Sequence, residues 1–388
     1  LRPLRLYAVL STLAQSAVSP FISFFSASEG VNGELLALVS SAGTTLPGVT
    51  QYALVKTKMR AKTMISTANL IMSSLWITTG VLGVKGSLFV PLYLGIQAAL
   101  GVANFGWLLI MEKVSVTTRG QTLALYSFYA NLGGLVATLL TGFVIRDDLL
   151  LMRYFFVVSG MISLFNSYVI SKSDVDSSYA PSTGSSGLWE IRRFLVANFI
   201  FMLTWSMSWP LFPIAQVYKF HMNGEEVAIL NVLGGASTVA VQRAVGRLTD
   251  RHRKWVMFFG RLGLASFPLG YALCTSVYQL YLMNLISGFT NSAMISFTSY
   301  VFDNCTNKRK AIAFYNMLNG IGALIGSTIG GVEYSIASSY LGEVEGVTLA
   351  LLIAGACRIA TSMLYLGVKE EGRKVQATEA RPVSPIPK

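Results

Sequence analysis

The sequence predicts an all-α integral membrane protein of twelve transmembrane helices arranged as two six-helix pseudo-repeats. The composition is the first reason: of 388 residues, 53% are hydrophobic and only 12% are charged, whereas a soluble domain carries about twice that charge fraction. Secondly, the chain is a succession of apolar runs of about twenty residues, each long enough to cross a hydrocarbon core roughly 30 Å thick as a helix. Thirdly, matching residues recur between the two halves at a nearly constant offset.

Flanking charges delimit the spans in order. The first, 5–25, follows Arg2 and Arg5. No small-residue cleavage site follows a short apolar core there, so it reads as a span and not as a cleavable signal. The second, 34–55, ends at the basic group Lys56, Lys58, Arg60 and Lys62. The third, 63–84, and the fourth, 88–111, are joined by a very short turn and are antiparallel neighbours. The fifth, 121–145, follows Arg119, and the sixth, 150–171, ends at Lys172. Arg192 and Arg193 precede the seventh, 194–217. The eighth, 226–246, runs into a basic loop at 246–254, after which 256–274 and 277–302 form another closely joined pair. Lys308, Arg309 and Lys310 precede the eleventh, 311–336. The twelfth, 346–367, stops before Lys369.

Basic residues set orientation, because cytoplasmic loops carry the excess of Lys and Arg. They crowd the face that holds both ends of the chain, while Lys85, Arg146, Arg153 and Lys219 are the few on the other face. The expectation is a multi-pass cell-membrane protein with both termini cytoplasmic. The formal charge of +12 reads as this bias, and not as a nucleic-acid surface. No CxxC pair is present and both histidines lie in expected loops, so neither a metal site nor a cofactor is expected. A catalytic constellation would need His at membrane depth, so an enzyme is not expected.

The expected organisation is an N-terminal six-helix half over 1–171, a cytoplasmic linker at 172–193, a C-terminal six-helix half over 194–370, and a disordered cytoplasmic tail at 371–388. Ser, Gly, Pro and Asp dominate the linker to Gly187 and read as flexible. Residues 188–193 read as a short interfacial helix with Trp189 at headgroup level. Three clusters define the repeat. Gly33, Glu34, Ala37, Gly43 and Gln51 recur as Gly224, Glu225, Ala228, Gly234 and Gln242. Gly101 and Asn104 recur as Gly288 and Asn291. Ala124, Tyr126, Gly133, Leu135 and Gly142 recur as Ala313, Tyr315, Gly322, Leu324 and Gly331.

The loop at 246–254, Gly-Arg-Leu-Thr-Asp-Arg-His-Arg-Lys, resembles the segment between the second and third helices of each half in major facilitator superfamily transporters, read roughly as G-x-L-[ST]-D-R-x-G-[RK]-[RK]. Gly246, Leu248, Thr249, Asp250, Arg251 and Lys254 fit; Arg253 replaces a Gly and Trp255 replaces a basic residue. Parallel six-helix repeats are also that family's architecture, and the resemblance extends to about residue 370. It implies a conformational latch: Asp250 near the N-terminal end of a helix from the opposite half, and Arg251 paired with Asp303, closing the cytoplasmic side. Gly246 and Lys254 belong to the same motif. The alternative is that these are ordinary interfacial charges. In the first half only Arg60 of the motif is kept, so that latch is degraded.

Gly322, Gly326 and Gly330 on span eleven, and Gly133, Ala137 and Thr141 on span five, have the spacing that lets helix backbones approach closely. The family's antiporter motif places a Pro after the glycines of span five, and none is there.

The family lines its pocket with spans one, four, seven and ten. Polar and aromatic residues at membrane depth there give the candidate substrate-binding set: Gln15; Gln97 and Asn104; Trp205 and Trp209; Asn284 and Asn291; and Tyr126 and Tyr315 from spans five and eleven. Each taken alone also suits helix packing. Arg358, the most central charge, needs a partner or water and reads as structural. Arg261 lies nearer a span end. Glu333, the only acid well inside a span, is the candidate for proton coupling, with an outer-vestibule rim role as the alternative.

The resulting expectation is secondary active or facilitative transport of a small organic solute, a neutral polar one such as a sugar, by alternating access. Its partners are a small-molecule substrate, protons as a candidate coupled ion, and the lipid bilayer, with no nucleic acid and a functional monomer. Efflux of hydrophobic drugs, or a transport-dead sensor or lipid-handling protein on the same fold, are the alternatives.

Overall fold

The structure, a computed structural model, describes residues 2–55, 57–84, 86–114, 119–146, 148–177, 187–305 and 308–368; the side chains of 2, 112–113, 119–130, 132, 250, 302 and 308–309 lie outside the description. Its helices group into twelve rods. Span one is Arg2–Ser16 and Ser19–Ser28, followed by Gly33–Leu54, Ala61–Leu82, Phe89–Val114, Arg119–Ile145 and Met152–Ser171 as spans two to six. Span seven is Arg192–Met207, Leu211–Ile214 and a π-helical turn at Ala215–Lys219. Spans eight and nine share a helical stretch, Gly224–Gly263, which Ser266–Leu273 completes. Span ten is Val277–Asn284 and Ser287–Asn304, span eleven Lys308–Leu341, and span twelve Glu343–Ser362 with a 3-10 turn at Met363–Gly367. Nine stretches among the described residues are individually long and apolar enough to cross a membrane. The face carrying Arg2 and Val368 is called the terminal face below, and the opposite one the far face.

The repeat is visible in how two of the rods begin. Asn32 caps span two by accepting from the Leu35 amide at 2.9 Å, and Asn223 caps span eight by accepting from the Glu226 amide at 2.9 Å, with Glu226 reaching back to the Asn223 amide at 3.0 Å. Both caps satisfy amides that would otherwise be orphaned at a helix start.

Prolines interrupt spans one, seven and nine at Pro20, Pro210 and Pro268, since proline donates no backbone hydrogen bond and crowds the preceding turn. Arg358, fully buried on span twelve, repairs two of these breaks. Pro268 leaves the Leu264 carbonyl without its usual donor, and Arg358 Nη1 donates to it at 2.6 Å. Its Nη2 donates to the Trp205 carbonyl and to Ser208 Oγ, where span seven unwinds ahead of Pro210. An arginine at membrane depth is thus held by backbone carbonyls, as irregular buried helices require.

At the far face the two halves meet closely through residues that match one another in the repeat. A methyl group placed on Gly33 would lie 2.8 Å from the Gly331 carbonyl oxygen, and one on Gly142 would lie 2.8 Å from the Gly224 carbonyl oxygen. Gly33 matches Gly224 and Gly142 matches Gly331, so spans two and eleven, and spans five and eight, make the same contact twice. Ala37 and its counterpart Ala228 flank these contacts. Beside the second contact the Gly224 amide donates to the Arg146 carbonyl at 2.8 Å, and Arg146 Nε lies 3.1 Å from Glu225 Oε2.

Spans two and eleven stay together toward the terminal face. Thr45 Oγ1 donates to the Gly320 carbonyl at 3.0 Å, and Asn316 Nδ2 donates to Gln51 Oε1 at 3.1 Å. Gly326 and Gly330 pack against the span-seven carbonyls of Leu203 and Met207.

Two expected features differ. The described start of the linker, as far as Ser177, is anchored: the Ala61 amide donates to Ser177 O at 2.7 Å, and Lys62 Nζ donates to Ser173 O at 2.6 Å. These bonds satisfy donors at the start of span three. Residues 178–186 and the tail from 369 lie outside the described residues. Of the interfacial helix expected at 188–193, residues 188–191 form a turn closed by Glu190 and Arg192 amides and 192–193 already belong to span seven, with an exposed Trp189 under the Arg192 guanidinium at 4.4 Å.

Candidate functional site

Below the far-face contact, spans five and eight diverge. Leu135 still meets Gly235 at 2.6 Å from where a methyl would sit. Around and below that point lies a cavity of about 310 Å³ between the halves. Span one contributes Thr12, Ser16 and Pro20; span five Asn131 and Thr138; span eight Asn231, Thr238 and Gln242; and span ten Asn291. The volume falls at the small end of the roughly 300–1,000 Å³ typical of ligand sites.

Among the described residues the cavity wall carries amides and hydroxyls and no charged side chain. Asn291 Nδ2 donates to Thr238 Oγ1 at 3.3 Å, bridging spans ten and eight. Thr138 Oγ1 donates to the Ser16 carbonyl at 2.9 Å, joining spans five and one. Asn131, Asn231, Gln242 and Asn291 are exposed, so their remaining donors and acceptors are available to a solute. Toward the terminal face a methyl on Gly246 would meet nothing within 4 Å, and Arg243 and Arg247 are exposed. Among the described residues the cavity therefore opens on that side, and the glycine contacts close it at the far face.

Of the substrate-binding set expected from the sequence, Asn291 lines this cavity. The others, Tyr126 apart, are placed elsewhere. Gln15 is half-buried on span one beside the break, and Gln97 is 3% exposed with Oε1 unpartnered. Asn104 is exposed, and the Tyr126 side chain lies outside the described residues. Trp205 and Trp209 pack edge-to-face at 5.5 Å. Asn284 Nδ2 donates to the Leu230 carbonyl, binding span ten to span eight. Tyr315 is buried, its hydroxyl 3.5 Å from Asn198 Oδ1. The family's choice of spans one, four, seven and ten led past Asn131, Asn231 and Gln242. A signal was present: residues 231, 235, 238 and 242 share one helix face at intervals of four, three and four.

A second polar centre was also missed. Arg261, 1% exposed, sits deep in the C-terminal half, where Nη2 donates to Asn198 Oδ1 at 3.0 Å. The rings of Phe297 at 4.0 Å, Phe201 at 4.7 Å and Trp205 at 5.0 Å surround its guanidinium. Asn198 also donates to Asn319 Oδ1 at 2.5 Å and accepts from Tyr365 at 3.2 Å. The cation is held by ring faces and an amide, away from the cavity, in a packing arrangement.

The latch residues lie on the terminal face. Helix continues through the expected loop and breaks only at His252, with φ −136° and ψ 50°. Asp303 pairs with Arg253 and not with the expected Arg251. The break separates the two arginines: Arg251 ends one helical run and is exposed, while Arg253 starts the next and is half-buried. That pair lies within one half, as fits a terminal face that stands open. Gly246 faces open space, Lys254 is half-buried, and the side chain of Asp250 lies outside the described residues. Glu333 faces a groove between spans eleven and twelve, away from the cavity.

Comparison with known proteins follows this geometry. Residues 194–388 match the profile of the Major Facilitator Superfamily. A curated relative, the staphyloferrin B transporter of Staphylococcus aureus (strain NCTC 8325 / PS 47), is 24% identical over 177 residues. The match spans 43% of this chain and 42% of that relative, less than half the length of either. Among solved structures, the nucleoside transporter NupG superposes with a TM-score of 0.73 at 11% identity, covering 94% of this chain and 98% of its own. Tetrameric PepTSo2 gives 0.71 at 13% identity, over 95% and 97%. A bacterial homologue of the lysosomal transporter Spinster, inward-facing and unoccupied, gives 0.64 at 13% identity, over 94% and 96%. At these identities the likeness concerns the fold.

Proposed function

Because the chain belongs to the Major Facilitator Superfamily, we propose that it moves a small, uncharged, hydrogen-bonding organic solute across the membrane by alternating access. The solute site is the cavity between spans one, five, eight and ten. One observation carries this reading: a wall of amides and hydroxyls, free of charge among the described residues, lies between the two halves, and the halves close above it through glycine contacts repeated by the internal symmetry. Amides and hydroxyls can donate and accept, so they match hydroxyls, carbonyls and ring nitrogens of a neutral solute. An anion would enter a wall with no cation to balance it.

The similar proteins are described as a staphyloferrin B transporter and a nucleoside transporter. None of them is described as carrying a sugar, so the sugar expectation narrows to the wider class of neutral polar solutes. Glu333 lies outside the cavity, so proton coupling through it has no direct geometric link to the solute. Orientation rests on the Lys/Arg bias, which makes the terminal face cytoplasmic and the state inward-open. A cysteine in place of Gly86 is then labelled only from outside. The latch around Asp250 belongs to the opposite state, with the terminal face closed.

A thermal-shift screen of the purified chain tests the solute class. Stabilisation by a nucleoside or another neutral polar solute, lost in Gln242→Leu, supports the reading. Stabilisation only by carboxylic acids, or retained in Gln242→Leu, counts against it.

A further inference from the structure

Glu333 is the single acid of span eleven. It faces a groove of about 840 Å³ between spans eleven and twelve, floored by Met207 and walled by Ile329, Ile336, Tyr340 and Ile353. Those four wall residues are 40–85% exposed on the side that meets lipid, so the groove opens laterally into the bilayer. Glu333 Oε2 is buried and makes no hydrogen bond, and neither Lys nor Arg lines the groove. A carboxylate with one oxygen buried and without a donor in apolar surroundings is disfavoured in its charged form. It must take a proton or receive a cation, and the groove offers a cation an apolar bed at the same place.

We propose that this groove binds a lipophilic amine entering from the bilayer, with its ammonium on Glu333 and its apolar body along Ile329, Ile336 and Ile353. The depth favours a small amphiphile over a phospholipid. Glu333 lies eight residues before the end of span eleven at Leu341, about 12 Å along the helix at 1.5 Å per residue, below the level where a phospholipid ammonium sits. This site is separate from the neutral-solute cavity, and it stands or falls independently of it.

The full chain in phosphatidylcholine nanodiscs is titrated with a dansyl-labelled alkylamine, with octylamine and 1-octanol as competitors. Octylamine is expected to displace the probe at least tenfold more effectively than octanol. Glu333→Gln should abolish that preference, and Ile336→Trp, which fills the groove, should weaken probe binding itself. Equal displacement by amine and alcohol in the wild type overturns the proposal, as does an unchanged preference in Glu333→Gln. Should that variant fail to fold, undiminished probe binding in Ile336→Trp overturns it alone. Displacement of the probe by adding phosphatidylethanolamine to the nanodisc would assign the groove to a lipid headgroup and likewise overturn it.

Discussion

Substituting Gly331→Ala places a methyl group where the Gly33 carbonyl now lies, and 3.2 Å from the Ala37 side chain. The obstruction is backbone on a neighbouring rod, so it cannot turn aside as a side-chain tip can. Spans two and eleven must separate at the far face by several tenths of an ångström or more. Overpacking of this kind costs about 1–3 kcal/mol. The cost falls on the state in which the far face is closed and vanishes when that face opens. Only a state-dependent contact shifts a conformational population, and a difference of about 1–3 kcal/mol shifts the ratio roughly 5–150-fold. In a Gln242→Cys background the cavity thiol is reachable from the terminal face while that face is open. Gly331→Ala should therefore slow its maleimide labelling from that side, and Gly142→Ala, at the symmetry-related contact, should do the same. An unchanged labelling rate in both, in protein that folds and inserts normally, would refute the idea that the paired glycines hold this state.

Three further outcomes follow from the packing. Arg358→Ala leaves the Leu264 carbonyl without its donor and the Trp205 carbonyl with only the long bond from Ser208 Oγ at 3.4 Å, and an unsatisfied buried group costs about 1–3 kcal/mol; a clear fall in unfolding temperature is expected, and an unchanged one contradicts the repair role. Burial, with a smaller contribution from Glu190, pushes the Cys305 thiol up to about 11. Its thiolate is thus scarce at neutral pH, and alkylation should keep accelerating well above the ordinary cysteine value of about 8.5; a plateau near that value contradicts it. Asp250→Asn should raise terminal-face accessibility of a cysteine at Ser292 if the latch closes that face, and unchanged accessibility reduces the motif to an orientation signal.

Much of the architecture was legible because lipid imposes a length and a composition on every span, and because the repeat left matching residues behind. Gly33, Ala37 and Gly142 and their counterparts stood out in sequence as coincidences of spacing. Only their meeting across the two halves shows that they recur because each makes the same contact. The break at His252 was hidden because a basic stretch at a water interface can be loop or helix, and its charges do not distinguish them. Arg358 was readable as structural, since a lone cation at depth demands acceptors; which carbonyls it serves depended on Pro210 and Pro268 lying next to it in space. Of this cavity's lining only Asn291 was placed in the binding set from the sequence, for a different reason. Asn and Gln residues serve packing and solute binding equally well, as Asn284 and Asn291 show on the same rod, and only the divergence of spans five and eight decides which face water.

On the proposed reading an uncharged solute crosses through the cavity between spans one, five, eight and ten. Its most direct test is uptake of radiolabelled uridine, glucose and citrate into proteoliposomes, comparing the unmodified chain with Gln242→Leu, Asn291→Leu and Asn104→Ala. The account predicts saturable uptake of a neutral probe, reduced at least tenfold by either cavity substitution and unchanged by Asn104→Ala. Saturable uptake confined to citrate, or neutral-solute uptake indifferent to both cavity substitutions, would contradict it.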